Sequence, residues 1–476
     1  MIRYIKKPNN FPIIITFLVA FGLIFYNSPF TLTYWNILSF FIGINFFVIY
    51  KNFGRIKPFL YFKIFLPIVI FTIIFNIISF IFSPLFFAKD YATLISPKDT
   101  TFNNYFVNDY SKIRKVTEKM ARVKADKIFG KNIDGIDLTT QYELDKGSII
   151  KFKNKEYWLF PLRYSGFFQW KENRNVKGYI LVDAINPNEK PIFKKYKYKY
   201  ASGAFLFENP YYIMYLKNNL RELNIHPELN ENGDLYWIAE VLKYKFIGNT
   251  FFVDKVFTLN ARSGKINQYN LNNLPSWIDK AYPKDLIDEY IRYYGKYKNG
   301  FLNSLFTKKN IATPTLFQNR EIYLIENTTN KNLNWYTGMT SINSNDNSLL
   351  YGISVDAKNL KSYKIKDLNG ITDEKGAIDA INSKLGANSI RWKAVLPMPL
   401  IYKNAFFYHV SIIDKNSGLY QKSSLINGKN ISHIEFINSS LSKNISKNLS
   451  KKDLLIKKVE KLEKELKELK DMLISF

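Results

Sequence analysis

The sequence contains no cysteine and only three histidines, and both shortages narrow the chemistry open to it. Without cysteine the chain can form no disulfide and offers no thiolate ligand to a metal. His226, His409 and His433 are far apart, and none forms the i,i+4 histidine pair that a helical zinc site uses. A glycine-rich phosphate loop and a nucleophile elbow are absent as well. The sequence therefore predicts no catalytic residue, no metal site and no cofactor.

Acidic residues are also absent from the first 88 residues, which hold three long apolar runs, Phe11–Tyr26, Tyr34–Tyr50 and Ile64–Ala88. A helix that crosses a bilayer needs about 20 mostly apolar residues, and aromatic residues suit the two interfaces at its ends. We therefore expect three transmembrane helices in residues 1–88. For the first run a cleaved signal peptide is the alternative, although Asn27-Ser28-Pro29 is a poor cleavage site.

The basic residues around these runs predict an orientation. They are Arg3, Lys6, Lys7, Lys51, Arg55, Lys57 and Lys63. Three precede the first run and four lie between the second and third, whereas the loop between the first two runs carries none. Since cytoplasmic loops are enriched in Lys and Arg, the N-terminus is expected in the cytoplasm and everything after Ala88 on the far side. The predicted localisation is a multi-pass cell-membrane protein with a large extracytoplasmic domain.

The whole chain carries 68 Lys and Arg against 40 Asp and Glu, a formal net charge of +28. One interpretation is a surface for an anionic partner such as lipid headgroups, envelope polymers or nucleic acid. The other is the codon bias of an AT-rich genome. One dense basic tract, 194–199, alternates Lys and Tyr from Lys195 onward, so a strand would place the two residue types on opposite faces. Because the other charges are scattered, a nucleic-acid partner is disfavoured.

After residue 88 the sequence repeats one pattern, an amphipathic helix followed by several strands. The first helix is expected over 111–129, where Ile113, Val116, Met120 and Val123 form an apolar stripe. The predicted fold class is α+β, with tandem units in which a helix packs on an antiparallel sheet. The predicted segments are a membrane anchor at 1–88, four α+β units at 89–200, 201–275, 276–370 and 371–437, a linker at 438–450 and a coiled coil at 451–476.

Two of these units contain a similar turn. The phrases Asn260-Ala261-Arg262-Ser263-Gly264 and Asp414-Lys415-Asn416-Ser417-Gly418 resemble the closing hairpin of PepSY-like domains. That resemblance implies small modules with a helix against an antiparallel sheet, which are often extracytoplasmic and serve in protein binding or peptidase regulation. The first unit departs from the pattern, because Asp183-Ala184-Ile185-Asn186 lacks the Ser-Gly pair.

The segment Pro275–Pro283 holds two large aromatic residues between two prolines, just before a predicted helix. One interpretation is an exposed recognition loop that uses Trp277 and Tyr282 as anchors. The other is a linker between the second and third units, held in place by Trp277 in a core.

Residues 451–476 differ in character from the rest of the chain. Apolar residues recur there with alternating spacings of four and three, which is a heptad seam. The seam residues are Leu455, Val459, Leu462, Leu466, Leu469 and Leu473. Lys458 and Glu465 would face Glu463 and Lys470 of a partner helix, with opposite charge in each pair. The sequence therefore predicts a coiled coil that makes the protein a homo-oligomer; a helix that docks on its own chain is the alternative.

These features together predict a non-enzymatic integral membrane protein. Its basic ectodomain would bind a protein or an anionic envelope polymer, and its C-terminal helix would drive self-association. The expected partners are the lipid bilayer, further copies of the chain, and that protein or polymer. Two alternatives remain: an envelope enzyme or peptidase regulator whose site has no recognisable motif, and a structural membrane protein of a phage or mobile element.

Overall fold

β-Sheet dominates the part of the chain that the computed structural model describes, which is residue 74 and residues 82–437 without 131–137, 219–221, 247–249, 316–321 and 343–346. Nineteen strands form four sheets within these residues, and the helices that accompany them are short. The predicted α+β class with N-terminal transmembrane helices is therefore wrong. The reason is that long paired strands, rather than helices, contribute most of the regular structure and most of the core.

No helix within the described residues is long and apolar enough to cross a membrane. The runs Phe11–Tyr26 and Tyr34–Tyr50 lie outside those residues, and Ile64–Ala88 overlaps them at residue 74 and at 82–88. The chain is helical over 82–92 (α1). One face of this helix is buried in the protein core through Ala88 and Tyr91. A helix that packs on protein in this way is amphipathic and not apolar all round. The predicted multi-pass cell-membrane localisation with an extracytoplasmic domain is corrected accordingly.

The remaining helices of the described residues lie between the sheets. They are α2 (Glu118–Phe129), α3 (Phe167–Glu172), α4 (Pro210–Lys217), α5 (Lys284–Tyr297), α6 (Phe301–Leu305) and α7 (Glu374–Lys384). Side-chain caps set several of the starting points. Thr117 accepts an amide hydrogen bond at the start of α2, Asn209 does so before Pro210 in α4, and Asp373 does so before α7.

Two sheets occupy the first half of the described chain. The first sheet has the strand order β2-β4-β5-β6, with β3 also paired to β4, and the second has the order β10-β9-β8-β7. Their strands are β2 (Tyr142–Leu144), β3 (Ser148–Phe152), β4 (Lys155–Tyr164), β5 (Val176–Asp183), β6 (Ile192–Tyr198), β7 (Leu223–Leu229), β8 (Leu235–Phe246), β9 (Thr250–Asn260) and β10 (Ile266–Tyr269). We call α2 with the first sheet unit 1, and α4 with the second sheet unit 2.

The other two sheets follow α5 and α7. The third has the order β1-β15-β14-β13-β11, with β12 also paired to β13, and the fourth has the order β16-β17-β18-β19. Their strands are β1 (Lys98–Thr100), β11 (Ala312–Pro314), β12 (Tyr323–Glu326), β13 (Leu333–Ser341), β14 (Tyr351–Asp356), β15 (Ser362–Ile365), β16 (Trp392–Tyr402), β17 (Ala405–Asp414), β18 (Tyr420–Asn427) and β19 (Ile434–Ile437). These sheets define units 3 and 4. The early strand β1 pairs in parallel with β15, so unit 3 includes a piece of chain that precedes unit 1.

The apolar cores of neighbouring units merge. One cluster joins units 1 and 2 and includes Phe160 and Trp237, while a second joins units 3 and 4 and includes Tyr336 and Tyr408. A third joins units 2 and 3 with α1, where Tyr91 is fully buried. Because these clusters cross unit boundaries, each unit depends on its neighbours to cover its apolar faces.

The same hairpin turn occurs in every unit, and twice in unit 4. An Asp or Asn ends one strand, and its side-chain oxygen accepts hydrogen bonds from the amides two and three residues later, at N···O distances between 2.7 and 3.2 Å. The residues are Asp183, Asn260 and Asp356 in the first three units, and Asp414 and Asn427 in unit 4. Gly264 and Gly418 then take a left-handed conformation (φ +74° and +68°), as the Ser-Gly phrases require. The resemblance to PepSY-like domains stays a prediction.

Units 1, 2 and 3 share a second arrangement, which we call the tryptophan clamp. A tryptophan indole N–H donates to the carbonyl of the chain that leads into the unit's helix, with N···O distances of 2.8, 2.8 and 3.0 Å. The three pairs are Trp158 with Val116, Trp237 with Tyr200, and Trp335 with Tyr282. An alanine carbonyl next to the shared turn accepts two consecutive amides from the same lead-in segment. These alanines are Ala184, Ala261 and Ala357, all fully buried.

Candidate binding surface

Two of the three histidines are engaged in polar contacts inside the fold: His409 is fully buried and the His226 side chain is 14% exposed. His226 lies between Glu228 (Nε2···Oε1 2.9 Å) and Glu240 (Nδ1···Oε1 3.2 Å). Burial alone would lower the pKa of His226, but the two carboxylates raise it to about 9. His409 contacts the Ser423 hydroxyl (Nε2···Oγ 2.7 Å), and burial lowers its pKa far below the usual range. Both residues of this Ser–His contact are fully buried, so it serves the packing of the fourth sheet.

Elsewhere in the part of the chain that the structure describes, few groups of side chains could bind a metal ion or a small molecule. No group of three or more His, Asp or Glu side chains there could hold a metal ion. An open groove of about 510 Å³ lies between α2 and the first sheet. Two of its cations are engaged, because Arg163 pairs with Glu143 at 2.6 Å and Arg122 donates to the carbonyls of Leu144 and Asp145. His433 lies at the surface and bonds Glu435 at 3.0 Å.

The two aromatic residues of the segment Pro275–Pro283 are placed differently from each other. Tyr282 is only 7% exposed and belongs to the core cluster of units 2 and 3, where its carbonyl accepts the Trp335 indole. Trp277 is half-buried, with its ring centroid 4.8 Å from that of Tyr236. The structure therefore brings both side chains into the joint between units 2 and 3, in agreement with the linker interpretation. The six seam residues of the predicted coiled coil, Leu455 to Leu473, lie outside the described residues.

A cluster of apolar side chains that sequence reasoning did not single out lies on the outside of units 1 and 2. It consists of Phe167, Phe168, Phe205, Leu206 and Phe207, which are between 40% and 77% exposed, and we call it the aromatic surface. Its rings touch one another: the centroids of Phe167 and Phe168 are 5.7 Å apart, and those of Phe167 and Phe205 are 5.3 Å apart at nearly right angles. Contiguous exposed apolar area of this kind marks an interaction site more often than scattered single residues do.

A buried polar group holds the aromatic surface from beneath. The Trp170 ring packs on Phe205 at 5.5 Å, and its indole N–H donates to Glu208 Oε2 at 2.7 Å. The other Glu208 oxygen lies 3.2 Å from both Arg174 and Lys199. Because the Glu208 side chain is only 8% exposed, these bonds fix the base of the surface firmly.

The backbone of the Phe205–Phe207 turn is braced as well. Leu206 has a φ of +55°, a left-handed conformation that costs a side-chain-bearing residue free energy of roughly 1 kcal/mol. Asn209 holds the turn, because its side-chain amide donates to the carbonyls of Ser202 and Ala204 while its oxygen caps α4. A strained turn that displays three consecutive apolar side chains to solvent is a reason to look for a function there.

Basic residues continue from the aromatic surface along the edge of the first sheet. On β6 the tyrosines Tyr196 and Tyr198 are buried, whereas Lys195 and Lys197 are exposed, as the Lys/Tyr alternation predicts. Lys199 and Arg174 connect this edge to Glu208 and so to the aromatic surface. We call Lys195, Lys197, Lys199 and Arg174 the basic strip. Glu208 neutralises one of the two cations that it contacts, and the strip keeps a net positive charge.

Comparisons with known proteins add no information about this surface. No protein-family model matches the chain, and no curated protein matches it. Among solved structures, similar chains include an apocarotenoid oxygenase chimera at 8% identity and cobalt-substituted Synechocystis apocarotenoid oxygenase at 7% identity. Each match covers 62% of this chain and 51% of the other, with a TM-score of 0.14. At that TM-score neither the fold nor the activity of those enzymes bears on this protein.

Proposed function

We propose that this chain is a non-catalytic binding and scaffold protein that holds an acidic protein segment carrying apolar side chains. The observation that supports the proposal is the continuity of the aromatic surface with the basic strip. Apolar side chains of the segment would pack on Phe168 and Phe207, which are 77% and 66% exposed. Acidic side chains of the same segment would lie along Lys197 and Lys199.

Packing on the aromatic surface would supply most of the affinity. Removing a Phe side chain from water contributes on the order of 2 kcal/mol, and aromatic residues are enriched among those that dominate binding energy. The Trp170–Glu208 contact and the Asn209 cap keep the surface in place before binding, so little side-chain freedom is lost when a partner packs on it.

The basic strip would supply orientation and the rate of association. Charged rims raise association rates and select partners of opposite sign more than they raise affinity. Because β6 is an edge strand, its lysines also discourage edge-to-edge pairing with another sheet. An extended acidic segment can follow such an edge with its carboxylates next to the lysines. Self-association through residues 451–476 stays a prediction from the sequence, and it would raise the avidity of a weak site.

The test uses two synthetic peptides of equal length and charge, one of alternating Glu and Leu and one of alternating Glu and Ser, measured by fluorescence anisotropy with the full chain. We expect the Glu-Leu peptide to bind and the Glu-Ser peptide to bind at least tenfold more weakly. The substitutions Phe168→Ser and Phe207→Ser together should abolish that difference. Lys197→Glu should weaken the Glu-Leu peptide and make its binding less sensitive to salt.

Ile390→Ser provides the matched control, because Ile390 is 83% exposed but lies in unit 4, away from the aromatic surface. This variant should bind like the unmodified chain. Equal binding of the Glu-Leu peptide by the Phe168→Ser/Phe207→Ser variant would overturn the proposal. Tighter binding of polyphosphate than of either peptide, unaffected by the phenylalanine substitutions, would also overturn it and favour an anionic polymer as the partner.

A further inference from the structure

A second exposed apolar region lies on α1 and α6, apart from the aromatic surface in sequence. On α1 the exposed side chains are Phe82 (47%), Leu85 (43%) and Phe86 (74%). On α6 and the residue after it they are Leu302 (64%), Leu305 (49%) and Phe306 (76%). Both sets have the spacing i, i+3, i+4, which places each set on one face of its helix. We call these six residues the apolar ridge.

Both helices of the ridge are anchored on one core. Tyr91 of α1 is fully buried and stacks on Tyr293 of α5 with ring centroids 4.6 Å apart. Tyr91 also lies 6.2 Å from Tyr297 at the end of α5, just before α6 begins. Phe301 packs on the same cluster. The inner faces of both helices are therefore occupied, and the six ridge residues cannot turn inward to bury themselves.

The chain around α6 carries charge of a single sign over a long stretch, whereas α1 has the exposed residues Lys89 and Asp90 after the ridge. Residues 290–315 contain no Asp and no Glu. They do contain four exposed lysines, two before α6 and two after it: Lys296, Lys298, Lys308 and Lys309. In addition, Lys298 lies close enough to Lys364 to repel its ammonium group, although burial is the larger cause of the lowered pKa of Lys364. Such a concentration of positive charge beside apolar side chains calls for an anionic, apolar counterpart.

The turn after α6 is built to keep lysines beside Phe306. Asn303 accepts hydrogen bonds from the Lys309 amide at 3.0 Å and from the Thr307 hydroxyl at 2.5 Å. The Asn303 and Asn299 side-chain amides both donate to the Lys309 carbonyl, at 3.0 and 2.9 Å. Lys308 takes a left-handed conformation with a φ of +51°. These bonds fix the backbone at Lys309, three residues after Phe306.

We propose that the apolar ridge and its lysines form a docking surface for an anionic lipid interface. Phenylalanine and leucine on one face of a helix, flanked by lysines as they are on α6, are the pattern of helices that lie at the headgroup level of a bilayer. The apolar side chains would enter the boundary between headgroups and acyl chains, and the lysines would contact lipid phosphates. Such docking is peripheral, and it requires no helix that crosses the bilayer.

A protein partner fits these observations less well. Protein interfaces place their apolar anchors in pockets at the centre of a patch, and their central residues are depleted of lysine. The ridge instead presents its most exposed side chains, Phe86 and Phe306, at the outer faces of two helices with lysines close by. This inference concerns a different surface from the one proposed to bind an acidic segment, and either proposal can fail without the other.

The absence of cysteine allows a site-specific test on the full chain. A single cysteine is introduced by Phe306→Cys and labelled with an environment-sensitive fluorophore. The matched control is Ile390→Cys, at an exposed apolar position in unit 4. Vesicles of phosphatidylglycerol and phosphatidylcholine, with and without a spin-labelled quencher in the acyl chains, are then added. Because the label reports its own surroundings, lipid contact made by any other part of the chain does not produce the signal.

We expect the label at position 306 to shift its emission to the blue and to be quenched at least twofold by the spin-labelled lipid, whereas the label at 390 does neither. In the Phe306→Cys background, Lys308→Glu with Lys309→Glu should reduce the quenching, as should vesicles of phosphatidylcholine alone. A label at 306 that remains unquenched while the protein sediments with vesicles would overturn the proposal. A blue shift on concentrating the protein without vesicles would overturn it in favour of an interface between copies.

Discussion

Unit 4 differs from units 1, 2 and 3 in the side chain that ties its helix lead-in to its hairpin turn. The first three units each carry a tryptophan clamp, which joins the lead-in to the helix with the hairpin turn of the same unit. In unit 4 the equivalent turn begins at Asn427, and Gly428 replaces the buried alanine: its carbonyl accepts the Thr372 amide at 2.9 Å. The donor to the lead-in is the Tyr408 hydroxyl, which bonds the Thr372 carbonyl at 3.1 Å, while the indole N–H of Trp392 is buried without a hydrogen-bond partner. The arrangement is therefore common to all four units, with an indole donor in three of them and a phenol hydroxyl in the fourth.

Buried charge shows the same division. Where units 1, 2 and 3 meet, each oxygen of the fully buried Glu228 is satisfied: Oε1 accepts from the Lys280 amide at 3.1 Å, and Oε2 from the Asp279 amide at 2.8 Å. Lys280 in turn donates to Ser148 at 2.9 Å, and Asp279 accepts from the Lys151 amide at 2.5 Å. This network joins strands of units 1 and 2 to the segment that leads into unit 3. A buried charge that is fully paired in this way specifies how the units fit together.

At the joint of units 3 and 4 the buried carboxyl group is Glu374, in the first turn of α7. Its Oε1 accepts from the Gly338 amide at 3.1 Å and from the Tyr323 hydroxyl at 3.2 Å, while its Oε2 has no hydrogen-bond partner. Burial raises the pKa of Glu374. The two joints show that a buried acid can be held either by a cation or by neutral donors. Removing the negative charge should destabilise the fold in the first case and have little effect, or stabilise it, in the second.

The largest expected effect comes from removing the charge at each joint. Glu228→Gln should lower the free energy of unfolding by about 3–5 kcal/mol, because it removes the buried carboxylate that pairs with Lys280 and one of the two that contact His226. Glu374→Gln should change it by less than about 1 kcal/mol or raise it, because no cation loses a partner. Urea unfolding followed by tryptophan fluorescence measures both. A similar loss in the two variants would erase the distinction between the joints.

The next effect in size is a pH dependence at both joints, in which the unmodified chain loses stability as the pH rises. The folded pKa of His226, about 9, lies above its unfolded value of 6.5, so its contribution is fully present below pH 6.5 and is lost as the pH rises through 9. His226→Gln should therefore be less stable than the unmodified chain at pH 6, by on the order of 3 kcal/mol, and the gap should close above pH 9. Glu374→Gln should instead gain stability relative to the unmodified chain as the pH rises, because burial raises the pKa of Glu374 and so penalises its charged form.

Stability measured at several pH values between 5.5 and 9.5 checks both signs. Asp279, whose pKa burial and the neighbouring Glu228 raise to about 7, titrates in the same range. For this reason the quantity to compare is the difference between each variant and the unmodified chain at equal pH. A gap for His226→Gln that stays constant with pH would show that the imidazole is held neutral between Glu228 and Glu240.

Much of the local structure follows from the sequence, because turns and caps are local. The start of unit 2 shows this: Asn209 accepts from the Tyr212 amide and Pro210 opens α4, as an N-cap followed by a first-turn proline favours. The two Ser-Gly turns are equally local. The start of α2 is different. The stripe from Ile113 predicts a helix from 111, but the amides of Lys115 and Val116 bind the Ala184 carbonyl, so the helix begins at Glu118.

The candidate site could not be predicted in the same way. Phe205-Leu206-Phe207 has the composition of a core segment, and nothing in the sequence says that unit 2 leaves it uncovered. Its exposure depends on Trp170 and Glu208, which a fold must bring together first. The sequence does offer one usable signal: Phe167-Phe168 lies seven residues or fewer from Arg174, and Phe205–Phe207 follows Lys199 closely. The fold class was predicted wrongly because the spacing of apolar residues locates helices and strands without showing that the long paired strands contribute most of the regular structure.

The smallest expected effect tests the tryptophan clamp itself. Trp237 is only 3% exposed. Trp237→Phe removes its indole N–H and leaves the Tyr200 carbonyl without that donor. An unsatisfied buried acceptor costs about 1–3 kcal/mol, so the midpoint of urea unfolding should fall. Trp392→Phe removes a donor that has no partner, and it should leave the midpoint unchanged or raise it. Equal losses in both variants would mean that the indole rings stabilise the fold by packing alone, and that the hydrogen bond from Trp237 to Tyr200 adds nothing measurable.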